Sequence, residues 1–295
     1  MINYIKEYEL EELKENVCFS NYLTMKTKAN IKYLIEPKCI NSLRIIIKKL
    51  NELNLNYFIL GNGSNTICKS KIHIDYVINM NSLKNEYEIK NNILRVTGSY
   101  SMPSLAIKLA KEKYKGLEFL SSIPGTIGAG IAMNCGAYKK EIKDVLISCK
   151  CINKKGQIIN YHTKDLDFEY RNSLIRREGL IVIEALFNIE KTNLDILSKI
   201  NEWKEYRNKT QPLEYPSSGS IFKNLNNISA WEVIDKINLR GYQIGGAMFS
   251  NKHSNFIINY NNAKGEDIEK LINIAKEKAK ELFNINLQEE IIILS

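Results

Sequence analysis

The residue types best suited to catalysis are concentrated in the last third of the chain. Residues 217–224, with the sequence SSGSIFKN, place three hydroxyl groups, one lysine and one asparagine around a single glycine. A serine nucleophile needs a general base beside it, and this segment lacks the G-x-S-x-G turn that exposes such a serine in hydrolases. Because a serine hydroxyl can also donate a hydrogen bond, we interpret Ser220 as a hydroxyl donor rather than as an acylated nucleophile.

Four charged or titratable side chains are further candidates, and each has an ordinary structural explanation. Arg171 stands in the segment YRNS ahead of an apolar strand, where an arginine is most often a solvated charge. His253 is the histidine nearest to the serine segment, and a lone histidine is more often structural than catalytic. Glu289 and Glu290 lie close to the C-terminus, where adjacent glutamates usually form a solvated edge, although strand alternation would turn one of them inward. The residues by themselves leave both interpretations open.

Two regions are rich in small residues. Residues 60–65 (LGNGSN) directly follow a predicted strand, and their two glycines allow successive backbone N–H groups to surround a diphosphate. A plain turn is the alternative, because the same residue types are common in turns. Residues 121–130 (SSIPGTIGAG) and 134–138 (NCGAY) would let a flat, bulky ligand approach the backbone. Neither region has the spacing G-x-G-x-x-G of a Rossmann dinucleotide site, since residue 66 is threonine and the second region runs G-x-x-G-x-G.

The hydrophobic periodicity predicts the elements that position these residues. Strands at 31–36 and 57–60 flank an amphipathic helix at 41–54, which gives a β-α-β unit ending at residues 60–65. Further strands are predicted at 93–98, 145–152, 157–161 and 180–189, around a helix at 104–115. The rest of the chain is predicted to form helices at 194–209, 228–238 and 266–283, a strand at 255–259 and a terminal strand at 287–294.

The composition of the 295 residues sets broad limits on the class of protein. Hydrophobic residues make up 44% and charged residues 25%, which excludes a disordered, collagen-like or disulfide-rich miniprotein. The net charge of +9 permits a nucleic-acid partner, but it equally suits an enzyme that handles phosphorylated ligands. No apolar stretch is long enough to cross a bilayer, and the N-terminus lacks the apolar core of a signal peptide. We therefore expect a cytoplasmic protein.

The six cysteines are scattered along the chain, and only Cys149 and Cys151 lie close together. We expect strand alternation to send their side chains to opposite faces of a sheet. On that basis the sequence predicts neither a metal knuckle nor a redox pair, and it predicts reduced thiols.

Taken in order, the motifs resemble those of the UDP-N-acetylenolpyruvoylglucosamine reductase family, in its shorter second subtype. The ordered set comprises LGNGSN, IPGTIGAG with MNCGAY, YRNS, SSGSIFKN, GYQIGGAMFSNKHSNFIIN and LQEEI, across residues 24–293. The resemblance implies an α+β protein, with a two-lobed FAD-binding fold of the vanillyl-alcohol-oxidase/PCMH type plus a C-terminal α+β substrate-binding domain. The implied domains are residues 1–75 and 76–193, the two FAD-binding lobes, and residues 194–295, the UDP-sugar domain.

The resemblance also assigns site residues by position. Arg171, Ser220 and Glu290 match the catalytic positions, and no metal is implied. The positions expected to hold FAD without a covalent bond are Leu60, Gly61, Asn62, Gly63, Ser64, Asn65, Pro124, Gly125, Thr126, Gly128, Asn134, Gly136, Ala137 and Tyr138. The positions expected to contact the substrate are Arg207, Gln211, Lys223 and Asn224.

The implied reaction reduces the enolpyruvyl group of a UDP-sugar, with NADPH as co-substrate. Hydride would pass from NADPH to FAD and then to C3 of the enolpyruvyl group, while Ser220 protonates C2. Arg171 and Glu290 would stabilise the charge that develops on the substrate carboxylate, and Glu290 would have to carry a proton to donate a hydrogen bond. The implied partners are small molecules, with no nucleic acid and no membrane, and we expect a monomer.

Two other functional classes compete with this interpretation. The same flavin fold could serve an oxidase or dehydrogenase of another substrate, although SSGSIFKN and LQEEI argue against a different third domain. A basic protein that binds nucleic acid or an anionic surface would explain the charge of +9. It would explain none of the motifs, and the positive charges are dispersed along the sequence rather than clustered.

Overall fold

The computed structural model describes residues 1–7, 11–225 and 228–295. Its strands are β1 (Glu11–Cys18), β2 (Asn30–Pro37), β3 (Tyr57–Leu60), β4 (Thr66–Cys68), β5 (Tyr76–Asn79), β6 (Tyr87–Lys90), β7 (Ile93–Thr97), β8 (Tyr114–Lys115), β9 (Gly136–Ala137), β10 (Lys140–Glu141), β11 (Leu146–Ile152), β12 (Ile158–His162), β13 (Ile181–Asn188), β14 (Glu190–Lys191), β15 (Ser217–Ser220), β16 (Gln243–Ile244), β17 (Ala247–Phe249), β18 (Phe256–Asn259) and β19 (Ile292–Leu294). Its α-helices are α1 (Ile2–Glu7), α2 (Ile40–Glu52), α3 (Met102–Lys111), α4 (Ile127–Ala132), α5 (Leu174–Glu178), α6 (Ile196–Thr210), α7 (Ala230–Lys236) and α8 (Gly265–Phe283).

The chain forms two compact units and passes between them several times. The first unit contains Met1–Glu15, Tyr33–Asn62 and Asp75–Lys204, and the second contains Asn16–Lys32, Gly63–Ile74 and Glu205–Ser295. The segment LGNGSN is therefore divided, with residues 60–62 in the first unit and 63–65 in the second. The domain ranges 1–75, 76–193 and 194–295 stay a prediction. β5, which that prediction assigns to the second range, pairs with β2 and β3 of the first range.

A largely parallel sheet carries the first glycine segment. Its strand order is β1-β2-β5-β3, and β2 and β3 both run parallel to β5, as a β-α-β unit requires. The connecting helix α2 buries Leu43, Ile46 and Leu50, whose spacing places them on one helix face. Parallel strands end at the same edge of a sheet, so β3 delivers residues 60–62 to its carboxyl edge, where open α/β sheets hold ligands.

An antiparallel sheet in the first unit supports the second glycine region. Its strand order is β12-β11-β13-β7-β6, and α4 packs against β13 through core residues such as Ile131 and Phe187. Gly128 N donates to Gly98 O across 2.8 Å, so α4 begins directly against the end of β7. A Cβ on Gly98 would lie 2.2 Å from Val182 O. This close approach requires glycine at residue 98.

The second unit has its own sheet and core. The sheet has the order β15-β18-β17-β16, and Phe249 and Ile257 pack with α7 and α8 through Ile234 and Leu271. β19 pairs in parallel with β4. The residues that follow LGNGSN are thereby joined to the C-terminal end of the chain.

The predicted helices and strands are confirmed to within a few residues, apart from the terminal strand. That strand is predicted at 287–294, but β19 covers only Ile292–Leu294. Glu289 instead forms an isolated bridge with Phe222, so the C-terminal residues pair with two partners in succession and no continuous strand forms. Within the described ranges, no helix combines the length and apolar character needed to cross a bilayer.

Candidate active site and cofactor-binding segments

Ser220 lies at the end of β15, next to β18 in the second unit. Ser217 and Ser220 pair with Ile258 and Phe256 of β18, and the register is irregular between the two pairs. Gly219 has a φ of +75° and no described neighbour within 4 Å of its Cβ position. The glycine is therefore required for its left-handed backbone and not for space. The irregular register follows from this left-handed residue inside the strand.

The hydroxyl group of Ser218, two residues before Ser220, bonds to the backbone of another strand. Ser218 is buried, and its Oγ donates to Thr66 O across 3.3 Å. The carbonyl of Ser217 accepts a hydrogen bond from Thr24 Oγ1 at 2.7 Å. Both contacts anchor the start of the serine segment, and Ser218 therefore provides a matched control for the half-buried Ser220.

Glu290 lies beside the serine segment because two backbone hydrogen bonds join the C-terminal residues to it. Glu290 N donates to Ile221 O across 2.8 Å, and Lys223 N donates to Gln288 O across 2.9 Å. Ser220 and Glu290, which are far apart in the sequence, are thus neighbours through Ile221. The structure thus brings the backbone segments of these two predicted catalytic residues together.

The two adjacent glutamates have different surroundings. Glu289 Oε1 accepts a hydrogen bond from Lys276 Nζ of α8 at 2.9 Å. The carbonyl of Glu290 accepts one from Asn65 Nδ2 at 3.0 Å, and Asn65 O accepts one from Ile292 N at 2.9 Å. Asn65, which the sequence assigns to the cofactor, therefore holds the backbone of Glu290 with its side-chain amide.

The four predicted substrate-binding residues fall into two pairs in the second unit. Arg207 Nε donates to Gln211 Oε1 across 2.9 Å at the C-terminal end of α6. Asn224 Oδ1 accepts from Ala230 N at 3.0 Å and so caps the start of α7. Lys223 is bound through its backbone to the residues that precede Glu290. The second pair is therefore placed close to the predicted catalytic residues of this unit.

Two of the segments predicted to hold FAD meet in the first unit. A Cβ on Gly61 would lie 3.0 Å from Thr126 Oγ1, so residues 60–62 pass beside residues 124–128. Asn81 has no role predicted from the sequence. Its Nδ2 donates a hydrogen bond to Gly61 O across 3.2 Å. A side chain at residue 61 would crowd the side chain of Thr126. Glycine at residue 61 therefore allows the two segments to approach this closely.

Gly63 begins the part of LGNGSN that belongs to the second unit. Its φ is +60°, and a Cβ there would lie 2.0 Å from Tyr22 O. Thr24 N donates to Gly63 O across 3.2 Å. Both the conformation and the space exclude a side chain at this position. Tyr22 and Thr24 belong to no motif, and nothing in the sequence indicates that they lie next to Gly63.

Tyr138 ends the segment 134–138 in a left-handed conformation, with a φ of +55°. Its ring stacks on Trp203 of α6, with centroids 3.8 Å apart and planes inclined by 6°. Its hydroxyl shares a hydrogen bond with Ser122 Oγ at 3.1 Å. Sequence reasoning assigned no role to Trp203. Trp203 could have been singled out from the sequence, because a tryptophan is unusual in a helix as charged as α6.

Arg171 lies beside the same segment in the first unit. Its Nη2 donates to Gly136 O across 3.4 Å, and its guanidinium lies 5.0 Å from the ring centroid of Tyr170. Its φ is +56°. The structure thus places one predicted catalytic residue against a predicted FAD-binding segment, whereas Ser220 and Glu290 belong to the second unit.

His253 packs against an aromatic ring in the second unit. It is half-buried, and its ring centroid lies 4.7 Å from that of Phe256. Burial, followed by the nearby charge of Arg240, lowers the pKa of His253. The imidazole is therefore neutral at neutral pH.

The expectation that Cys149 and Cys151 point to opposite faces is wrong. Residues two positions apart in a strand share a face, and the two Sγ atoms lie 3.6 Å apart in the core of the first unit. The hydrogen bond to Cys149, together with burial, raises the pKa of Cys151. Among the residues described, no group of three or more His, Cys, Asp or Glu side chains could hold a metal ion.

Comparison with known proteins covers nearly the whole chain. Residues 31–161 match the FAD binding domain family, and residues 211–294 match the C-terminal domain of UDP-N-acetylenolpyruvoylglucosamine reductase. The reductase of that name from Clostridium novyi (strain NT) is 35% identical over 285 residues, which cover 96% of this chain and 92% of the relative. The one from Bacillus pumilus (strain SAFR-032) is 33% identical, with 99% and 97% covered.

A solved structure extends the likeness to the fold. UDP-N-acetylenolpyruvylglucosamine reductase (MurB) from Thermus caldophilus superposes with a TM-score of 0.80 at 27% identity, covering 97% of this chain and 99% of that chain.

Fold and site together define an FAD-dependent oxidoreductase. The predicted α+β class is confirmed, with an FAD-binding fold of the vanillyl-alcohol-oxidase/PCMH type and a separate C-terminal domain. FAD is its cofactor, as predicted. The chain belongs to the UDP-N-acetylenolpyruvoylglucosamine reductase family of peptidoglycan synthesis.

Proposed function

We propose that the chain reduces the enolpyruvyl group of UDP-N-acetylenolpyruvoylglucosamine to give UDP-N-acetylmuramate, with NADPH as hydride donor. The observation that supports this best is the 2.8 Å hydrogen bond from Glu290 N to Ile221 O, which brings Glu290 beside Ser220. A hydroxyl group and a carboxyl group carried on adjoining backbone segments suit the protonation of an alkene that bears a carboxylate. The partners in this proposal are the two small molecules, and a monomeric cytoplasmic enzyme stays a prediction.

The first step is to hold the cofactor without a covalent bond. FAD, when bound, supplies the hydride acceptor for NADPH and the hydride donor for C3 of the enolpyruvyl group. Residues 60–62 and 124–128, which lie side by side, would hold its diphosphate. In the second segment Pro124 has no N–H, and the N–H groups of Ile127 and Gly128 already donate to Tyr100 O and Gly98 O, so Gly125 and Thr126 would supply its backbone donors. Residues 63–65 and 134–138 are the further segments assigned to it. Arg207 and Gln211 would contact the UDP-sugar.

The side chains then stabilise the charge that develops on the substrate. A simple alkene resists hydride attack, but the neighbouring carboxylate can accept the electron density that builds up at C2. Arg171 would donate hydrogen bonds to this carboxylate, and a protonated Glu290 would donate another. Ser220 would deliver its proton to C2. Lys223, three residues further along the chain, would offset the charge left on the serine oxygen.

The test separates the two half-reactions by following flavin absorbance in a stopped-flow instrument. In Ser220→Ala, NADPH should bleach the flavin at the wild-type rate, because no proton from Ser220 is needed. Reoxidation by the enolpyruvyl UDP-sugar should slow by about 10²- to 10⁴-fold, the usual contribution of a general acid. Ser218→Ala is the matched control, and it should leave reoxidation unchanged.

Three outcomes would contradict this proposal. Equal slowing of both half-reactions in Ser220→Ala would show that Ser220 is not the proton donor. A folded protein that takes up no FAD would refute the flavoenzyme altogether. Rapid reaction of the reduced flavin with oxygen, without turnover of the UDP-sugar, would instead support an oxidase of another substrate.

A further inference from the structure

A two-residue turn holds Arg171 in a backbone conformation that few side chains adopt. Glu169 N donates to Asn172 O across 3.0 Å, and Asn172 N donates to Glu169 O across 3.3 Å. These bonds close a turn over Tyr170 and Arg171. With a φ of +56°, Arg171 occupies a turn position where glycine or asparagine is usual. Such a conformation persists only where the surrounding contacts determine it.

Asn134 supplies one of these contacts, and it uses its whole side chain within the protein. The residue is fully buried. Its Nδ2 donates to Glu169 O at 3.0 Å and to Glu141 Oε2 at 3.2 Å, while its Oδ1 accepts from Lys143 N at 3.3 Å. A primary amide has two N–H donors, and both are used. Because both partners of Nδ2 are acceptors and the partner of Oδ1 is a donor, these contacts also fix which way the amide points.

Other bonds join the same two segments. Ser173 Oγ donates to Ala132 O across 2.8 Å, and Arg171 Nη2 donates to Gly136 O across 3.4 Å. Arg176 Nη1 donates to the carbonyl of Arg171 across 3.2 Å. The turn at 169–172 is thus bonded on one side to residues 132–136 and on the other to α5. Asn134 and Ser173 are both fully buried, but of the two only Asn134 bonds with its side chain to a residue of the turn itself, Glu169.

We propose that Asn134 is a positioning residue for Arg171. Its amide fixes the turn at 169–172. This turn then positions the Arg171 guanidinium for the substrate carboxylate. This inference rests on the proposed function, in which Arg171 contacts that carboxylate. It also changes the role assigned to Asn134 from the sequence, because an amide with both donors bonded to protein does not donate to FAD. The backbone of residues 134–138 still borders the proposed cofactor position.

The test is a double-mutant cycle with Asn134→Ala, Arg171→Ala and the combined variant. The two half-reactions are measured separately, with NADPH and then with the enolpyruvyl UDP-sugar. Asn134→Ala should slow flavin reoxidation by about 10- to 100-fold, since a displacement of one ångström at a reacting group can cost about 100-fold. FAD content and flavin reduction should stay within about threefold of wild type. Arg171→Ala should slow reoxidation further, and the combined variant should be no slower than Arg171→Ala, because Asn134 acts only through Arg171.

A matched control comes from Asn153 in the same unit. Its Oδ1 holds the turn between β11 and β12 by accepting from Lys155 N and Gln157 N. Asn153→Ala also removes an amide that holds a turn, here a half-buried one that acts through its oxygen, and it should leave reoxidation at the wild-type rate. A loss of rate in this variant equal to that in Asn134→Ala would overturn the specific role of Asn134.

The remaining outcomes distinguish this inference from the function on which it rests. Additive slowing in the combined variant, or loss of FAD from Asn134→Ala with normal reoxidation once FAD is restored, would overturn the positioning role alone. Normal reoxidation in Arg171→Ala would refute the proposed role of Arg171 itself. If Asn134→Ala fails to fold, Asn134→Ser enters the same cycle with the same expected results.

Discussion

Gly98 offers a test of how the first unit supports its cofactor segment, although it belongs to none of the motifs. It lies directly after β7, where its N–H donates to Ile183 O at 2.9 Å and its carbonyl accepts from Gly128 N at 2.8 Å. Gly128 is in the first turn of α4, directly after residues 124–126. The substitution Gly98→Ala therefore disturbs the strand pairing and the start of α4 together.

The magnitude of the disturbance follows from the distances. An alanine Cβ at residue 98 would lie 2.2 Å from Val182 O, and an ordinary contact begins near 3.4 Å, so the backbone must move by about 1.2 Å. Overpacking of this kind costs about 1–3 kcal/mol, and each weakened backbone hydrogen bond adds about 1 kcal/mol. With two such hydrogen bonds affected, we expect Gly98→Ala to lower the free energy of unfolding by about 3–5 kcal/mol.

The same movement should reach the cofactor. Displacing α4 by about 1 Å would misplace the N–H groups that precede it, and we expect FAD affinity to fall at least tenfold, which corresponds to about 1.4 kcal/mol. Urea denaturation of the apo-protein measures the loss of stability, and titration with FAD, followed by flavin fluorescence, measures the affinity.

Gly179→Ala is the matched control for this prediction. Gly179 ends α5 with a φ of +65°, and its one described neighbour is Lys154 Cε at 3.6 Å. The alanine there is strained but not crowded, so it should cost about 1–2 kcal/mol and leave FAD affinity unchanged. Wild-type FAD affinity in Gly98→Ala would refute the reasoning, as would equal losses of affinity in the two variants.

Two further predictions concern titratable groups. Burial alone would raise the pKa of Glu118, but the N–H groups of Glu118 and Gly116 and the charge of Lys140 lower it overall. The ionised carboxylate therefore stabilises the fold at pH values above the unfolded-state pKa of Glu118. Urea denaturation of wild type and Glu118→Gln should show a stability difference that shrinks as the pH falls below about 5. A difference that does not depend on pH would contradict this prediction. Cys39 is exposed, and hydrogen bonds from the side chain and the backbone N–H of Ser42 lower the pKa of its thiol. Iodoacetamide followed by peptide mass spectrometry should find it alkylated well before the buried Cys149, and the reverse order would contradict the described burial.

Local structure could be read largely from the sequence. Helix α2 shows the reason: Leu43, Ile46 and Leu50 recur at helical spacing, and this pattern depends only on nearby residues. The order of the motifs likewise indicated the family, which the comparisons confirm. The terminal strand was the exception, because Glu289 pairs with Phe222 while Ile292–Leu294 pair with β4. No local pattern shows that one apolar run will be divided between two partners.

Tertiary structure decided what the individual motif residues do. A motif names the types of residue near a site, but the partner of each polar group depends on which distant segment packs against it. Asn65 bonds to the backbone of Glu290, and Asn134 bonds to the turn that holds Arg171, although both were assigned to FAD by position. Trp203 stacks on Tyr138 without belonging to any motif. These contacts join residues separated by tens to hundreds of positions, and only the folded chain determines which of them meet.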